Sequence, residues 1–151
     1  MNDPRPPQAR SIAGEALAAA PAGGALWLQR CGDCGAVQYP PRERCGDCLA
    51  DALQLAALTP GAQVLAVTTV HHSLEPWFAA RAPWTVASLH LDAGPIAFAH
   101  IEPALAQPGT RVRLATARDA GGAWCLVAIA DDGSEALAAL QRTLNTLGMN
   151  P

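Results

Sequence analysis

Four cysteines in two close pairs, Cys31 and Cys34 followed by Cys45 and Cys48, constrain this chain more than any other feature. Each Cys-x-x-Cys sets two thiolates at the tip of one tight turn. Two such knuckles facing each other close a four-sulfur cage with no open coordination position. A closed cage holds shape and catalyses nothing. Between the pairs, Ala36-Val37-Gln38-Tyr39 and then Pro40-Pro41 read as a short strand running into a turn, the layout of a zinc ribbon. Gly35 directly follows Cys34, where the backbone must approach sulfur, and Gly46 is expected to relax the second turn in the same way. The spacing predicts a structural Zn2+ ion on Cys31, Cys34, Cys45 and Cys48, and four thiolates also suit iron. A redox dithiol would need its Cys-x-x-Cys at a strand-to-helix junction of a βαβ unit, and no helical pattern follows either pair. Two disulfides would leave unexplained why both knuckles lie together in an otherwise cysteine-poor chain.

The 151 residues have room for one ordinary domain, or for a small metal-stapled unit plus one modest barrel, and with 50% of them hydrophobic a packed core can form. No stretch approaches the roughly 18 uncharged apolar residues of a membrane span. The Ala-rich segment at 16–22 is interrupted by Pro21 and preceded by Glu15, which argues against a signal peptide. With cysteines spent on metal, the expected compartment is the cytoplasm and no membrane partner is expected. The fifth cysteine, Cys125, sits in the apolar run Trp124–Ile129 and reads as a buried strand residue, not a nucleophile.

Along the chain, a lead containing Pro4, Pro6 and Pro7 precedes Ser11, which can cap a helix running through Glu15 to about Ala20; Pro21 and Gly23-Gly24 end it. Leu26–Arg30 reads as the strand entering the first knuckle, and Leu53–Leu58 as one leaving the second toward the turn Thr59-Pro60-Gly61. Five β segments follow: Gln63–His71, Trp84–Leu91, Ile96–Ile101, Arg111–Thr116 and Trp124–Ala130. That count suits a small Greek-key barrel, and Glu102–Gly109 is long enough for the helical turn that an OB-fold places at its crossover. Ser134 is expected to cap a last helix whose Leu137, Leu140, Leu144 and Leu147 form one stripe, stopped by Gly148; the stripe must bury itself on the barrel or on another protein. The expected division is a lead and helix at 1–24, a zinc ribbon at 25–58, an OB-fold barrel at 59–131 and a helical tail at 132–151.

The run Leu28-Gln29-Arg30-Cys31-x-x-Cys34-Gly35-x-x-Gln38-Tyr39-Pro40-Pro41-Arg42-x-x-Cys45-x-x-Cys48 resembles the zinc-ribbon start of the acyl-CoA-associated OB-fold proteins. Residues Ala82-Pro83-Trp84 through Asp92-Ala93-Gly94 are similar to that family's second barrel strand and turn. The resemblance covers about residues 11–130 and implies a mainly β fold: an N-terminal helix, a rubredoxin-like zinc ribbon and a five-stranded OB-fold barrel, here followed by a C-terminal helix. It further implies a small, non-catalytic accessory subunit of a thiolase-like enzyme, an aldolase or a hydratase acting on acyl-CoA thioesters, one that helps form the CoA or substrate channel. The chain departs from the commonest pattern at Gly46-Asp47, where many relatives carry proline.

Within that implication, the candidate partner or CoA contacts are Arg42 beside the ribbon tip and Trp77, Phe78, Arg81 and Trp84 in and after the proline-bounded loop Ser73–Pro83. Trp77 and Phe78 are expected either to meet a partner or to fold back over the barrel mouth. His71 and His72 are neighbours on a predicted strand, one expected at the surface and one partly buried, so they do not converge on one atom. No nucleophile–base arrangement stands out, so the isolated chain is not expected to be an enzyme. Zinc ribbons and OB barrels also serve single-stranded nucleic-acid binding, which is the alternative function. Charge argues against it: the net charge is −3, and over 61–130 Arg81, Arg111, Arg113 and Arg118 are matched by Glu75, Asp92, Glu102 and Asp119.

Overall fold

In the computed structural model, which describes residues 10–149, a short helix and a three-stranded ribbon precede a closed five-stranded barrel and a C-terminal helix. The first nine residues of the expected 1–24 lead lie outside the described residues. Helix α1 is Ile12–Ala18, and the Ser11 hydroxyl accepts from the Gly14 N–H, as a serine N-cap should. The ribbon comprises β1 (Leu26–Cys31), β2 (Val37–Gln38) and β3 (Leu53–Leu58), in the order β2-β1-β3. The barrel comprises β4 (Gly61–Val70), β5 (Trp84–Leu91), β6 (Ile96–His100), β7 (Arg111–Arg118) and β8 (Trp124–Ala130), closing in the order β4-β5-β6-β8-β7. A four-residue helix α2 (Pro76–Ala79) interrupts the loop between β4 and β5, and one 3-10 turn, Pro103–Leu105, makes the crossover between β6 and β7. Helix α3 is Ala136–Leu147.

Alternation decides what fills the barrel. Ala62 and Val64, Ala87, Leu89 and Leu91, Ala97 and Ala99, Val112 and Leu114, and Leu126 and Ala128 point inward from successive strands and are buried. Leu17 of α1 and Leu26 and Leu28 of β1 belong to the same cluster, so ribbon and barrel share one core. Backbone bonds reinforce the joint: Thr116 donates to the Ala25 carbonyl, accepts from Gly23, and takes the Trp27 N–H on its hydroxyl. Arg118, which charge counting treats as one more surface cation, donates to the Ala18 and Ala20 carbonyls and so caps α1 from the barrel. Strand β7 runs two residues beyond the expected Thr116 because Ala117 and Arg118 pair with Cys125 and Trp124.

The last helix departs from expectation in two ways. Its N-cap is Glu135, whose carboxylate accepts from the Ala138 N–H; the Ser134 hydroxyl takes Arg142 instead, and its carbonyl takes Arg113. Leu137 is 54% exposed, and the packed stripe runs through the buried Ala139 and Leu140 and the partly buried Ala136, Leu144 and Leu147 against Ala115, Ala117, Val127 and Ile129 on the outer face of β7 and β8. The helix therefore covers its own barrel, and Gly148, at φ 64°, ends it. Among the described residues no helix is long and apolar enough to cross a membrane.

Gly61 sits where β4 enters between β5 and β7. A methyl group there would overlap the Asp92 carboxylate, which is held bidentately by Arg111 at 2.9 and 2.6 Å. Gly→Ala in a strand normally stabilises or is neutral. Here Gly61→Ala should lower stability by at most about 1 kcal/mol, because the ion pair must move aside but both of its side chains are half exposed. Adding Asp92→Ala should restore part of the loss, and equal melting temperatures for Gly61→Ala and the parent would show that the approach does not matter.

Candidate metal centre and aromatic cavity

The two knuckles are near copies of each other in the backbone. Cys31 N–H donates to the Ala36 carbonyl as Cys45 N–H does to Ala50, and the Cys31 and Cys45 carbonyls accept from Gly35 and Leu49. Both donating positions have a left-handed backbone: Gly35 has φ 76° and Leu49 φ 62°. The left-handed position of the second turn thus falls not on Gly46, as the sequence suggested, but on a strained leucine four residues after Cys45. Gly46 does something else. Its N–H donates to Gln38 Oε1 at 3.1 Å, and a Cβ there would crowd that same oxygen.

The four sulfurs lie within 4.8 Å of one another, with Cys31–Cys48 and Cys34–Cys45 each at 3.6 Å. Thiolates about 2.3 Å from a tetrahedral ion are about 3.8 Å apart, so the set fits a zinc-type metal without rearrangement. Thiols alone do not explain the cluster. Backbone N–H groups of Cys48 and Asp47 pull Cys45 down to about 7, whereas Cys48, despite the Ala50 N–H, is pushed up to about 12 by its sulfur neighbours and burial. One thiolate forms readily in this crowd; four need a cation among them.

Two glutamines outside the cage hold it in shape. Gln29 and Gln38 face each other across β1 and β2 and are buried. Gln29 grips the Arg42 backbone at both N–H and C=O, at 2.7 and 3.0 Å. Gln38 Nε2 reaches Cys45 Sγ at 3.6 Å and Asp47 at 3.4 Å. The sequence carried them only as letters of a motif, yet amides at inward positions beside Leu28 are the signal of a buried polar role. Arg42 itself is exposed on the ribbon, apart from the other candidate contacts.

Those other four come together. Trp77 is only 7% exposed, so it folds back on the barrel instead of standing out. Phe78 meets it edge-on at 4.9 Å and lies 6.3 Å from Trp84. The Arg81 guanidinium lies 3.7 Å over the Trp77 ring and donates to the Trp77 carbonyl. Along with Val86, His100, Trp124, Cys125 and the end of α3 they surround a cavity of about 480 Å³. Burial pulls His100 below the ordinary histidine range, opposed by Asp119, so it is neutral at neutral pH. Cys125 is half-buried and lines this cavity; it is not sealed in the strand as expected. His71 and His72 lie beyond the end of β4 and both are exposed, which corrects the expectation that one is partly buried. His100 and Trp124 escaped notice because they are distant in sequence. They are strand ends that the barrel order brings beside Trp84, and a tryptophan opening two separate strands was the available hint.

Comparison with known proteins follows the same two lobes. Residues 18–54 match the family model described as ChsH2, rubredoxin-like zinc ribbon domain, and residues 56–117 match that described as ChsH2, C-terminal OB-fold domain. A solved structure titled Ltp2-ChsH2(DUF35) aldolase is similar at 23% identity and a TM-score of 0.55, covering 69% of this chain and 83% of its own. No curated protein matches the chain.

Two substitutions test the cage. Leu49→Gly should raise stability by about 0.5–1 kcal/mol, since relief of the left-handed backbone exceeds the added chain entropy and the side chain is 71% exposed. Gln38→Ala should lower metal affinity at least about tenfold in competition with a chelator, with ligand count unchanged. A drop in stability for the first, or unchanged affinity for the second, would contradict these roles.

Proposed function

Since the chain belongs to the ChsH2 family, with that family's zinc ribbon and OB-fold in order, we propose that it is a cytoplasmic accessory subunit of an enzyme acting on acyl-CoA thioesters. The partner favoured is an aldolase, with thiolase-like enzymes and hydratases the other members of the class. The observation that carries this reading is the likeness to a chain from a structure titled Ltp2-ChsH2(DUF35) aldolase. The role is non-catalytic: zinc at Cys31, Cys34, Cys45 and Cys48 is structural, and its closed cage leaves no position for substrate. Exposed His71 and His72 offer no converged base.

A docking face is suggested by the free start of β6. Only His100 of that strand pairs with β8, and Ile96 and Phe98, alternating with the inward Ala97 and Ala99, face outward and are 51% and 63% exposed. Phe98 borders a depression of about 230 Å³ to which Tyr39 of the ribbon also contributes, so a partner there would touch both lobes. Arg42, Phe78, Arg81 and Trp84 are proposed as flanking contacts to the partner or to CoA as it enters the channel, with the buried Trp77 backing Phe78 and Arg81. The nucleic-acid alternative loses ground for a physical reason: Arg111 is committed to Asp92, Arg113 to the Ala130 and Ser134 carbonyls, and Arg118 to α1, which removes them from any basic track.

Purification of the tagged chain from its own cells, with mass spectrometry, metal analysis and acyl-CoA assays, tests the reading. A stoichiometric aldolase, thiolase-like enzyme or hydratase with one zinc per chain is expected. Phe98→Glu should release that partner while keeping zinc, and Cys45→Ser should lose both. Turnover of acyl-CoA by the pure chain, or recovery of single-stranded nucleic acid in place of an enzyme, would overturn it.

A further inference from the structure

We propose that the cavity walled by Trp77, Trp84, Val86, His100 and Trp124 binds an uncharged aromatic carbonyl compound of two or three fused rings, its oxygen directed to Arg81. The site lies within this chain and does not depend on the accessory-subunit reading.

Size comes first. A volume of about 480 Å³ falls within the roughly 300–1,000 Å³ of small-molecule sites. The walls then select the class of ligand. Three of the four tryptophans in the chain line this one space, and Phe78 joins them. Aromatic walls favour another ring, which can stack offset or meet them edge-on, over a flexible chain that gains burial without that geometry.

Charge selects the functional group. Arg81 brings a planar fork of donors, with one N–H spent on the Trp77 carbonyl at 2.7 Å. An acceptor oxygen can take the remainder. A full anion would also feel the negative charge of Asp119, a residue of the same wall whose charge reaches His100, while His100, held neutral by burial, offers it no compensating charge. An organic cation would have to compete with the guanidinium already over Trp77. A carbonyl dipole meets Arg81 without opposing Asp119.

The test titrates the zinc-loaded full chain with prodan, an uncharged naphthalene ketone, following its blue-shifted emission and the quenching of tryptophan fluorescence. The expected result is saturable binding at one site per chain. Arg81→Ala should weaken prodan about tenfold, the effect of one hydrogen bond to a charged group, while ethylnaphthalene binds parent and variant alike. Val86→Phe should push a ring into the cavity and weaken binding of both probes, with zinc content and melting temperature reporting whether the variant is folded. If Val86→Phe does not fold, the Arg81→Ala comparison decides alone. Non-saturable binding, equal losses of ketone and hydrocarbon, or no loss of either in Arg81→Ala would overturn the assignment. So would displacement of prodan by a single-stranded oligonucleotide, which would make the cavity a base-stacking site.

Discussion

Everything between Cys31 and Cys48 depends on the four sulfurs. The ribbon tip has one two-residue strand, its loop residues are mostly exposed, and only Cys31, Cys45 and Gln38 are buried there. Such a segment cannot bury enough apolar surface to offset the entropy of ordering it. A metal bound by four thiolates contributes about 10 kcal/mol or more in small zinc domains, which is ample for a segment of this length. The same ion fixes the end of β1, and β1 supplies Leu26 and Leu28 to the barrel core. Metal binding and barrel packing are therefore linked through one strand.

That linkage explains how the arginines are used. A barrel of this size has little apolar surface in reserve, and three of its four arginines tie elements together. Arg118 reaches helix α1, Arg113 holds the approach to α3 through the Ser134 carbonyl, and Arg111 locks the turn carrying Asp92 against β7. Each satisfies carbonyls or a carboxylate that a chain end would leave exposed. The charge balance of the sequence did not reveal this use, since one of the three is held by a carboxylate and two chiefly by backbone carbonyls.

Strands were legible where turn residues bracketed them. The bounds of β3, β5 and β8 coincide with the sequence reading because Thr-Pro-Gly, Asp-Ala-Gly-Pro and Gly-Gly leave little choice. Harder to read were positions decided by contacts distant in sequence. Strand β7 has both faces covered, the barrel core on one side and α3 on the other, so its Leu114-Ala115-Thr116-Ala117 run lost the alternation that would have marked its length. The same run, read for what it must touch, would have placed the terminal helix on the barrel. Leu49 was invisible for a different reason: no local preference puts leucine at positive φ, and only the geometry of the knuckle imposes it. Trp77 sits on a four-residue helix too short to show a period.

The cavity and the depression beside Phe98 share Val86, His100, Trp124 and Cys125 as walls. Anything that presses on one side of Trp124 bears on the other, because packed side chains have few alternative arrangements. A partner seated over Phe98 and a ring held against Trp124 would then be coupled through a single layer of side chains. Thermodynamic linkage makes that coupling reciprocal: if the ligand tightens the partner's grip by some factor, the partner tightens the ligand's by the same factor.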